Sequence, residues 1–360
     1  MWTALALARR GLGQVHPNPA VGCVLVRDDM CNTVVGRGWT QPGGRPHAEA
    51  EALKRAGNLA NGSTAYISLE PCSHYGETEP CSKALVRAGV KRVFIAVKDP
   101  DKRVSGTGIN HLKSAGIEVH SGLLEKEARK LNLGFFSRIN FCKPTITWKV
   151  ASSADGKIAT KTGDSQWITS VLSRNRSHLL RAEHDAILTS IKTAINDNPR
   201  LNCRLPGMTT RSPQPIVLDS KLRLPPQNNL MRGKNKPWIY TNSNISEVSK
   251  LKFEKLGAKV FPIKLDNSGR LSLAAIVSHL AEIGITRVLL ECGGELAASF
   301  MNEDLIDKIF WFQAPILIGG DGLSVINDLG ITKIDNAIAF SQKSTYIFGS
   351  DTLKIFERKC

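Results

Sequence analysis

The sequence predicts an α/β protein with two domains, and three observations support this prediction. The chain has 360 residues, about twice the length of an ordinary domain, so each half can bury its own core. Short β-branched runs alternate with amphipathic helical stretches, and glycine or proline ends most of them. Lys143-Pro144 interrupts this pattern, because proline disfavours helix in the residue before it. We therefore expect domains at residues 1–143 and 144–360.

In the first half the pattern predicts alternating strands and helices. The strands are Ala20–Val26, Val34–Trp39, Thr64–Leu69, Val93–Val97 and Ile117–Ser121. The helices are Thr3–Gly11, His47–Gly57, Cys81–Gly89, Gly108–Gly116 and a longer one, Glu125–Phe141. Several of them end at a glycine, which accepts the left-handed conformation of a helix C-terminal cap.

The second half repeats the alternation and then changes at its end. The predicted strands are Thr145–Ala151, Ala186–Thr189, Pro215–Leu218, Trp238–Tyr240, Lys259–Ile263, Arg287–Glu291 and Lys308–Trp311, with helices between them. Thr345–Gly349 and Thr352–Glu357 flank Ser350-Asp351 and predict a terminal hairpin. Since a hairpin adds antiparallel strands, we expect the second sheet to be mixed.

Composition and charge exclude several classes of protein. With 42% hydrophobic and 22% charged residues, the chain is neither disordered nor fibrous. No stretch approaches the roughly 18 apolar residues of a membrane span, and apolar Leu5 to Ala8 precede Arg9 and Arg10, the reverse of a secretory signal. We expect a cytoplasmic protein without a membrane partner. Eight irregularly spaced cysteines favour metal ligation or burial over a disulfide framework.

The net charge of +16 makes nucleic acid a partner to consider. The excess is evenly divided, with 20 basic and 12 acidic residues up to Pro144 and 28 and 20 after it. The sequence has no basic tail or block. This distribution favours general surface charge and pockets for anionic substrates over nucleic-acid binding.

The sharpest chemical motif is one histidine and two cysteines with a glutamate beside them. His47, Cys72 and Cys81 can supply three ligands to Zn²⁺ and leave the fourth position open for water. Glu49 follows His47 at the start of a predicted helix, where it can act as general acid and base without being a ligand. Cys81 opens a helix, which favours its thiolate. The arrangement is typical of zinc deaminases, although the spacing between the cysteines is longer than usual.

A diglycine turn marks the second half. Cys292-Gly293-Gly294 follows a predicted strand and opens an apolar helix that continues through Ser299. Backbone N–H groups at such a turn suit a pyrophosphate. The turn does not match Gly-x-Gly-x-x-Gly, so the usual dinucleotide-binding fold is not indicated. Taken alone, the turn is a weak signal, because strand-to-helix turns with two glycines are common, and a purely structural role is favoured.

Longer motifs resemble one enzyme family over nearly the whole chain. His16-Pro17-Asn18-Pro19-Ala20-Val21-Gly22-Cys23, Gly43-Gly44 before Pro46-His47-Ala48-Glu49, and Glu70-Pro71-Cys72-Ser73-His74-Tyr75-Gly76 through Pro80-Cys81 closely resemble the bifunctional riboflavin biosynthesis deaminase/reductase family. Ala151-Ser152-x-x-Asp155-Gly156-Lys157, Ser165-x-Trp167-Ile168-Thr169, the run from Thr193 to Arg204, and Asp219-Ser220 resemble its NADPH-dependent reductase domain. The long loop between the cysteines is that family's own variant.

The resemblance implies a fold and two reactions. The first domain would be a three-layer, cytidine-deaminase-like α/β domain that holds one Zn²⁺ and hydrolytically deaminates 2,5-diamino-6-(ribosylamino)-4(3H)-pyrimidinone 5′-phosphate. The second would be a dihydrofolate-reductase-like domain with a mixed sheet that uses NADPH to reduce 5-amino-6-(5-phosphoribosylamino)uracil to the ribitylamino product. We also expect a homo-oligomer that binds no nucleic acid.

The resemblance also implies roles for individual residues. Asn18 would lie in the pyrimidine pocket, His47, Cys72 and Cys81 would bind zinc, and Glu49 would be catalytic. The residues that would contact NADPH are Ala151, Trp167, Thr193, Asp197, Ser220, Gly293, Gly294, Glu295, Leu296, Ala297, Ala298 and Ser299. Those that would contact the ribosyl phosphate substrate are Ser165, Arg181, Leu201, Arg204 and Glu291. No His or Tyr stands out as proton donor for the reduction, and Lys149 is a candidate.

This sequence departs from the family at the loop expected near the substrate phosphate. Glu77 stands where the family usually carries Lys or Arg, and Glu79 where it usually carries Pro. An acid there repels a phosphate, and His74, Lys102 or Arg103 could supply the positive charge instead.

Three alternatives remain open on sequence grounds. The first is a nucleoside or tRNA-editing zinc deaminase with a nucleic-acid-binding C-terminal half. The second is a structural zinc site closed by His74 or Cys23 as fourth ligand. The third is a zinc-stabilised scaffold without catalysis.

Overall fold

The computed structural model of the chain describes residues 1–75 and 79–359. The chain divides into two compact units, Met1–Lys143 and Pro144–Cys360. Each unit has its own central sheet and its own hydrophobic core. In the described residues, no helix is both long and apolar enough to cross a bilayer.

The first unit is a five-stranded sheet with helices around it. Its strands are β1 (Gly22–Val26), β2 (Val34–Trp39), β3 (Thr64–Ile67), β4 (Arg92–Ile95) and β5 (Glu118–Ser121). Its helices are α1 (Trp2–Ala8), α2 (Ala48–Ala56), α3 (Cys81–Arg87), α4 (Thr107–Ser114), α5 (Glu125–Leu131) and α6 (Leu133–Phe141). The sheet order is β2-β1-β3-β4-β5, with β1 antiparallel to both neighbours and β3, β4 and β5 parallel.

Close packing fixes α2 on the sheet. Ala48 and Ala52 of α2 are fully buried in the core of the first unit. A Cβ on Gly38 of β2 would collide with the carbonyl oxygen of Ala48, so only glycine allows this approach of helix to strand. Because Ala48 stands between His47 and Glu49, this contact sets the position of both residues.

The prediction of one long helix over Glu125–Phe141 was wrong. The structure has two helices, and Asn132 between them has φ −100° and ψ 22°. The buried side chain of Asn132 accepts a hydrogen bond from the Ala20 backbone N–H at 2.9 Å and donates one to the Ala20 carbonyl at 2.8 Å. These two bonds to the segment before β1 compensate for the interruption.

The second unit is built on a nine-stranded mixed sheet, which confirms that prediction. Its strands are β6 (Thr145–Ser152), β8 (Ala186–Ser190), β9 (Gln214–Leu218), β10 (Trp238–Asn242), β11 (Lys259–Ile263), β12 (Arg287–Leu290), β13 (Lys308–Gln313), β15 (Phe340–Phe348) and β16 (Asp351–Arg358). The order is β11-β10-β9-β8-β12-β6-β13-β16-β15, parallel as far as β13 and antiparallel in the terminal hairpin.

Helices cover the nine-stranded sheet of the second unit. They are α7 (Val171–Ala182), α8 (Ile191–Asp197), α9 (Asn229–Arg232), α10 (Glu247–Lys255), α11 (Leu273–Glu282) and α12 (Gly294–Asn302). A small sheet of β7 (Lys157–Ala159) and β14 (Leu323–Ser324) was not predicted, since both strands are too short to show a period in sequence.

Candidate active sites

The first unit gathers the predicted metal ligands at the N-terminal ends of two helices. His47 immediately precedes α2, Cys81 begins α3, and Cys72 lies in the segment between β3 and α3. Their ligand atoms all lie within 4.8 Å of one another. His47 Nδ1 is 3.6 Å from Cys72 Sγ and 3.4 Å from Cys81 Sγ.

These distances fit zinc. A tetrahedral ion with a nitrogen ligand at about 2.0 Å and a sulfur ligand at about 2.3 Å places the two atoms roughly 3.5 Å apart. Among the residues that the structure describes, neither Cys23 nor His74 joins the cluster. Three ligands with an open fourth position are the donor set of a catalytic zinc rather than of a closed structural one.

Glu49 lies beside this cluster, in the first turn of α2. Its side chain is only 3% exposed, so it is shielded from solvent. Burial raises the pKa of the Glu49 carboxyl to about 7. The hydrogen bond from Cys81 lowers the pKa of the Cys72 thiol to about 4. The Cys72 thiol therefore favours the thiolate, and the Glu49 carboxyl can exchange a proton near neutral pH. The expectation that the helix start favours a Cys81 thiolate is wrong, because the hydrogen bond to Cys72 and burial raise the pKa of Cys81.

Two further contacts shape this region. The side chain of Asn18 donates to the Gly44 carbonyl at 3.0 Å, which joins its loop to the segment leading to His47. Glu70, two residues before Cys72, is 3% exposed and accepts backbone N–H bonds from Asp99, Gly106 and Ile109. Glu70 thus fixes the loop after β4 against the ligand segment.

Charges near the metal ligands bear on the expected phosphate repulsion. A cavity of about 330 Å³ adjoins His47 and Cys81, and Lys54, Glu79 and Arg87 also line it. Glu79 pairs with Arg87 at 2.5 Å, so its negative charge is largely compensated.

The residues predicted to supply positive charge near the phosphate differ in what they can offer. Arg103 is held by the carboxylate of Asp101, with Nε at 3.0 Å from both oxygens, and its charge is already matched. Lys102 and His74 remain the candidates for a positive charge near the phosphate. Glu77, the other acid of concern, lies outside the described residues.

In the second unit the predicted residues follow the carboxyl ends of neighbouring parallel strands. Ser220 follows β9, Thr193 follows β8 in the first turn of α8, Glu291 follows β12, and Ala151 lies near the end of β6. These four strands are adjacent in the order β9-β8-β12-β6. Since carboxyl ends of parallel strands meet at one edge, the topology brings these residues to one side of the sheet, where open α/β folds bind ligands.

At this edge, Arg181 of α7 forms an ion pair with Glu291, the residue after β12. Arg181 Nε and Nη2 donate to the two oxygens of Glu291, each at 2.9 Å, and both side chains are about one-seventh exposed. Burial alone would raise the pKa of the Glu291 carboxyl, but the charges of Arg181 and Lys149 hold it at about 2. Burial lowers the pKa of Lys149 beside them.

The sequence analysis missed two residues here: Asn202 joins this ion pair to Arg204, and His178 bonds to the Asn202 carbonyl. The backbone carbonyl of Asn202 accepts from Arg181 Nη1 at 3.1 Å and from His178 Nδ1 at 3.2 Å, and its side-chain oxygen accepts from Arg204 Nη1 at 2.9 Å. His178 stands three residues before Arg181, on the same helix face. That spacing was visible in the sequence, but nothing in the motif indicated Asn202.

The predicted NADPH residues have varied surroundings. Gly294 begins α12, and a Cβ there would lie 2.6 Å from Asn327 Oδ1, so the helix start is closely covered by segment 324–327. Ala297 and Ala298 are buried in the core, and Glu295 is 3.9 Å from Arg270 on the surface. The buried side chains of Ala297 and Ala298 therefore cannot meet a pyrophosphate, whereas Glu295 lies on the surface.

The remaining predicted cofactor and substrate residues lie on α8 and in loops. Thr193 takes part in the N-terminal cap of α8 through Ser190 at 3.1 Å, and Asp197 ends that helix. Trp167 is 66% exposed, and its ring lies 4.4 Å from the guanidinium of Arg174. Ser165 is partly buried in the same loop as Trp167.

Comparisons with known proteins agree with the two-part architecture. Residues 1–97 match the family described as the cytidine and deoxycytidylate deaminase zinc-binding region. Residues 144–354 match the RibD C-terminal domain. The chain belongs to the RibD family. Its similarity to a RibD relative, the riboflavin biosynthesis protein of Aquifex aeolicus (strain VF5), is 40% identity over 358 residues, 99% of this chain and 97% of that protein.

Solved RibD structures have the same fold as this chain. Acinetobacter baumannii RibD, form 1, superposes with a TM-score of 0.90 at 34% identity, and the match covers 100% of this chain and 98% of that one. The diaminohydroxyphosphoribosylaminopyrimidine deaminase/5-amino-6-(5-phosphoribosylamino)uracil reductase of Thermotoga maritima gives 0.86 at 32% identity, over 100% and 97%.

Membership of the RibD family confirms the predicted fold class, the two enzymatic activities and the two cofactors. The chain is a deaminase and reductase of riboflavin biosynthesis, with a zinc-binding deaminase domain and an NADPH-using reductase domain.

Proposed function

We propose that this chain carries out two consecutive reactions at two separate sites, with a deaminase domain at residues 1–143 and a reductase domain at 144–360. The first site deaminates the diaminopyrimidinone ribosylamino phosphate, and the second reduces the resulting 5-amino-6-(5-phosphoribosylamino)uracil. The observation that carries the proposal is the cluster of His47, Cys72 and Cys81, with ligand atoms within 4.8 Å, beside buried Glu49.

In the deaminase site we assign zinc to His47, Cys72 and Cys81 and the proton transfers to Glu49. Bound zinc makes water acidic enough to supply hydroxide near neutral pH. Glu49 accepts the proton of the attacking water and returns it to the amine, which leaves as ammonia when the carbon–nitrogen bond breaks. Because Glu49 is shielded from solvent, the proton remains in the site between the two transfers. Asn18, on the adjoining loop, faces the pyrimidine ring in this assignment.

In the reductase site we assign the phosphate of the substrate to Arg181 and Arg204, with Ser165 and Leu201 beside it. Paired guanidinium N–H groups suit a phosphate dianion. Glu291 orients Arg181 and accepts from the sugar or the ring. We assign NADPH to Ala151, Trp167, Thr193, Asp197, Ser220 and the segment from Gly293 to Ser299. Lys149, beside Glu291, is our candidate for the proton that accompanies the hydride.

The deaminase assignment is tested by Glu49→Gln, with Glu51→Gln on the same helix as matched control. Glu51 pairs with Arg55 at 3.2 Å, away from the ligands. We expect Glu49→Gln to keep zinc and lose about 10²-fold or more in ammonia release. We expect Glu51→Gln to behave as wild type. Unchanged turnover of Glu49→Gln would contradict the assignment.

The reductase assignment is tested by Arg204→Ala. We expect it to weaken binding of the phosphorylated substrate much more than binding of NADPH, because we assign the Arg204 guanidinium to the substrate phosphate and not to NADPH. Equal losses in both would indicate a folding defect and contradict the role.

We also propose that the enzyme works in the cytoplasm as a homo-oligomer and without nucleic acid. Its substrates are phosphorylated and its zinc ligands include two cysteine thiols, which suits a reducing compartment. β15 ends its sheet with Tyr346 51% and Ile347 79% exposed, which supports self-association along this edge. Light scattering of wild type and Ile347→Lys tests the assembly, and a monomeric wild type would contradict it.

A further inference from the structure

A single residue of the second unit bonds to both arginines of the proposed phosphate site. The Asn202 carbonyl oxygen accepts from Arg181 Nη1 at 3.1 Å, and its side-chain oxygen accepts from Arg204 Nη1 at 2.9 Å. Arg181 comes from α7 and Arg204 from the loop after α8. Asn202 is therefore the link through which two otherwise separate segments hold their guanidinium groups together.

The backbone before Asn202 is shaped to present both of its oxygens. Leu201 has φ 49°, a left-handed conformation that a leucine rarely adopts, and its side chain is 4% exposed. Burial of this side chain compensates for the unfavourable backbone conformation. The turn at Leu201 allows the carbonyl of Asn202 to reach α7 while its side chain reaches Arg204.

The charges around Asn202 suit an anion. The two hydrogen bonds between Arg181 and Glu291 match the charge of Arg181. Arg204 is bonded to a neutral amide instead. Burial lowers the pKa of Arg204, and the charges of Arg181 and Arg200 lower it further. Among the described residues, Arg181, Arg204 and Glu291 together keep a positive excess, which suits an anion.

We propose that Asn202 is a positioning residue of the reductase, which aims the Arg204 guanidinium at the substrate phosphate and fixes its distance from Arg181. This inference rests on the proposed function, in which Arg181 and Arg204 bind that phosphate. Asn202 itself does not touch the reacting atoms. It acts by holding a flexible side chain in the conformation that binds, so its effect falls on substrate affinity rather than on the hydride step.

The test uses the full-length zinc-loaded enzyme and four variants: Asn202→Ala, Arg204→Ala, the double variant, and Asn235→Ala as control. Asn235 donates to the Ser212 carbonyl at 3.2 Å, and the Ser212 hydroxyl accepts from Cys203 N at 3.1 Å. The control thus loosens the same loop without touching either arginine. The measurements are kcat and KM for the phosphorylated ribosylaminouracil, competitive inhibition by inorganic phosphate, the NADPH Kd and the Tm.

We expect Asn202→Ala to raise KM and the phosphate inhibition constant by the same factor, about ten-fold, since a charge-assisted hydrogen bond is lost. We expect kcat to change by less than about two-fold and the NADPH Kd to stay constant. The double variant should have the same KM and phosphate inhibition constant as Arg204→Ala alone, because Asn202 acts through Arg204.

Four results would overturn the inference. Arg204→Ala could raise KM while Asn202→Ala does not, or the two effects could add in the double variant. Asn202→Ala could also lower Tm and NADPH affinity together, as expected of a residue with a purely structural role. The same losses in the control Asn235→Ala would not bear on the inference. If Arg204→Ala leaves both KM and phosphate inhibition unchanged, the proposed phosphate site itself is wrong, and the inference fails with it.

Discussion

The buried ion pair between Arg181 and Glu291 makes a quantitative prediction for Glu291→Gln. Both oxygens of Glu291 accept from Arg181 at 2.9 Å, with about one-seventh of each side chain exposed. The substitution keeps the shape of the side chain and removes its charge. Arg181 is then left in a partly dry site without a counter-charge, which is the costly way to break a buried pair.

The pKa of Glu291 sets the magnitude. A carboxyl whose pKa falls from the ordinary 4.5 to about 2 on folding stabilises the folded unit by about 3 kcal/mol when it is ionised. Because the folded pKa is the lower one, this stabilisation is complete above pH 4.5 and is lost as the pH falls toward 2. We therefore expect Glu291→Gln to lower the free energy of unfolding of the second unit by about 3 kcal/mol at pH 7, and by about half as much at pH 3.

Urea unfolding followed by circular dichroism measures this difference, and Glu295→Gln is the matched control. Glu295 lies 3.9 Å from Arg270, and both side chains are 62% exposed, so we expect a loss of no more than about 0.5 kcal/mol. A loss below about 1 kcal/mol for Glu291→Gln at pH 7 would refute the reasoning. An equal loss of unfolding free energy in the control Glu295→Gln would contradict it as well.

Three further predictions concern acid stability, helix packing and zinc. His184 is 1% exposed with its pKa lowered by burial to about 3. The free energy of unfolding should thus fall by about 1.4 kcal/mol for each pH unit below 6.5, because the unfolded state binds the proton and the folded state does not. Urea unfolding at pH 6 and pH 5 should show this fall for the wild type and not for His184→Asn. Gly38→Val should displace α2, because a Cβ collides with the Ala48 carbonyl. We expect zinc analysis of this variant to show loss of metal and NADPH oxidation with the deaminated substrate to be retained. A chelator should abolish ammonia release and spare NADPH oxidation, and parallel inhibition of both would contradict separate sites.

Most of the fold could be predicted because its elements carry strong periodicity. Val34–Trp39 and Lys259–Ile263 have the predicted bounds, since β-branched runs between turns leave little choice. The break at Asn132 was missed because it depends on a hydrogen bond to Ala20, 112 residues away in sequence. No local pattern reports such a partner.

The two sites also differ in how far they could be predicted from the sequence. His47, Cys72 and Cys81 have chemistry that few other combinations share, so their convergence could be predicted from residue types and motif order. The reductase residues could be named from a resemblance, but the pairing of Arg181 with Glu291 could not. Arg181 lies near the end of α7 and Glu291 follows β12, so the two residues meet only in the folded chain. Asn202 reaches both arginines because Leu201, the residue before it, adopts a left-handed conformation.

The most direct test of the account follows both reactions on one preparation of the zinc-loaded wild-type chain. The diaminopyrimidinone ribosylamino phosphate is added first and ammonia is measured, then NADPH is added and its absorbance followed. We expect ammonia release and then NADPH oxidation in equal amount, with the first blocked in Glu49→Gln and the second in Arg204→Ala. NADPH oxidation only with already deaminated substrate, while zinc stays bound, would contradict the deaminase half of the account.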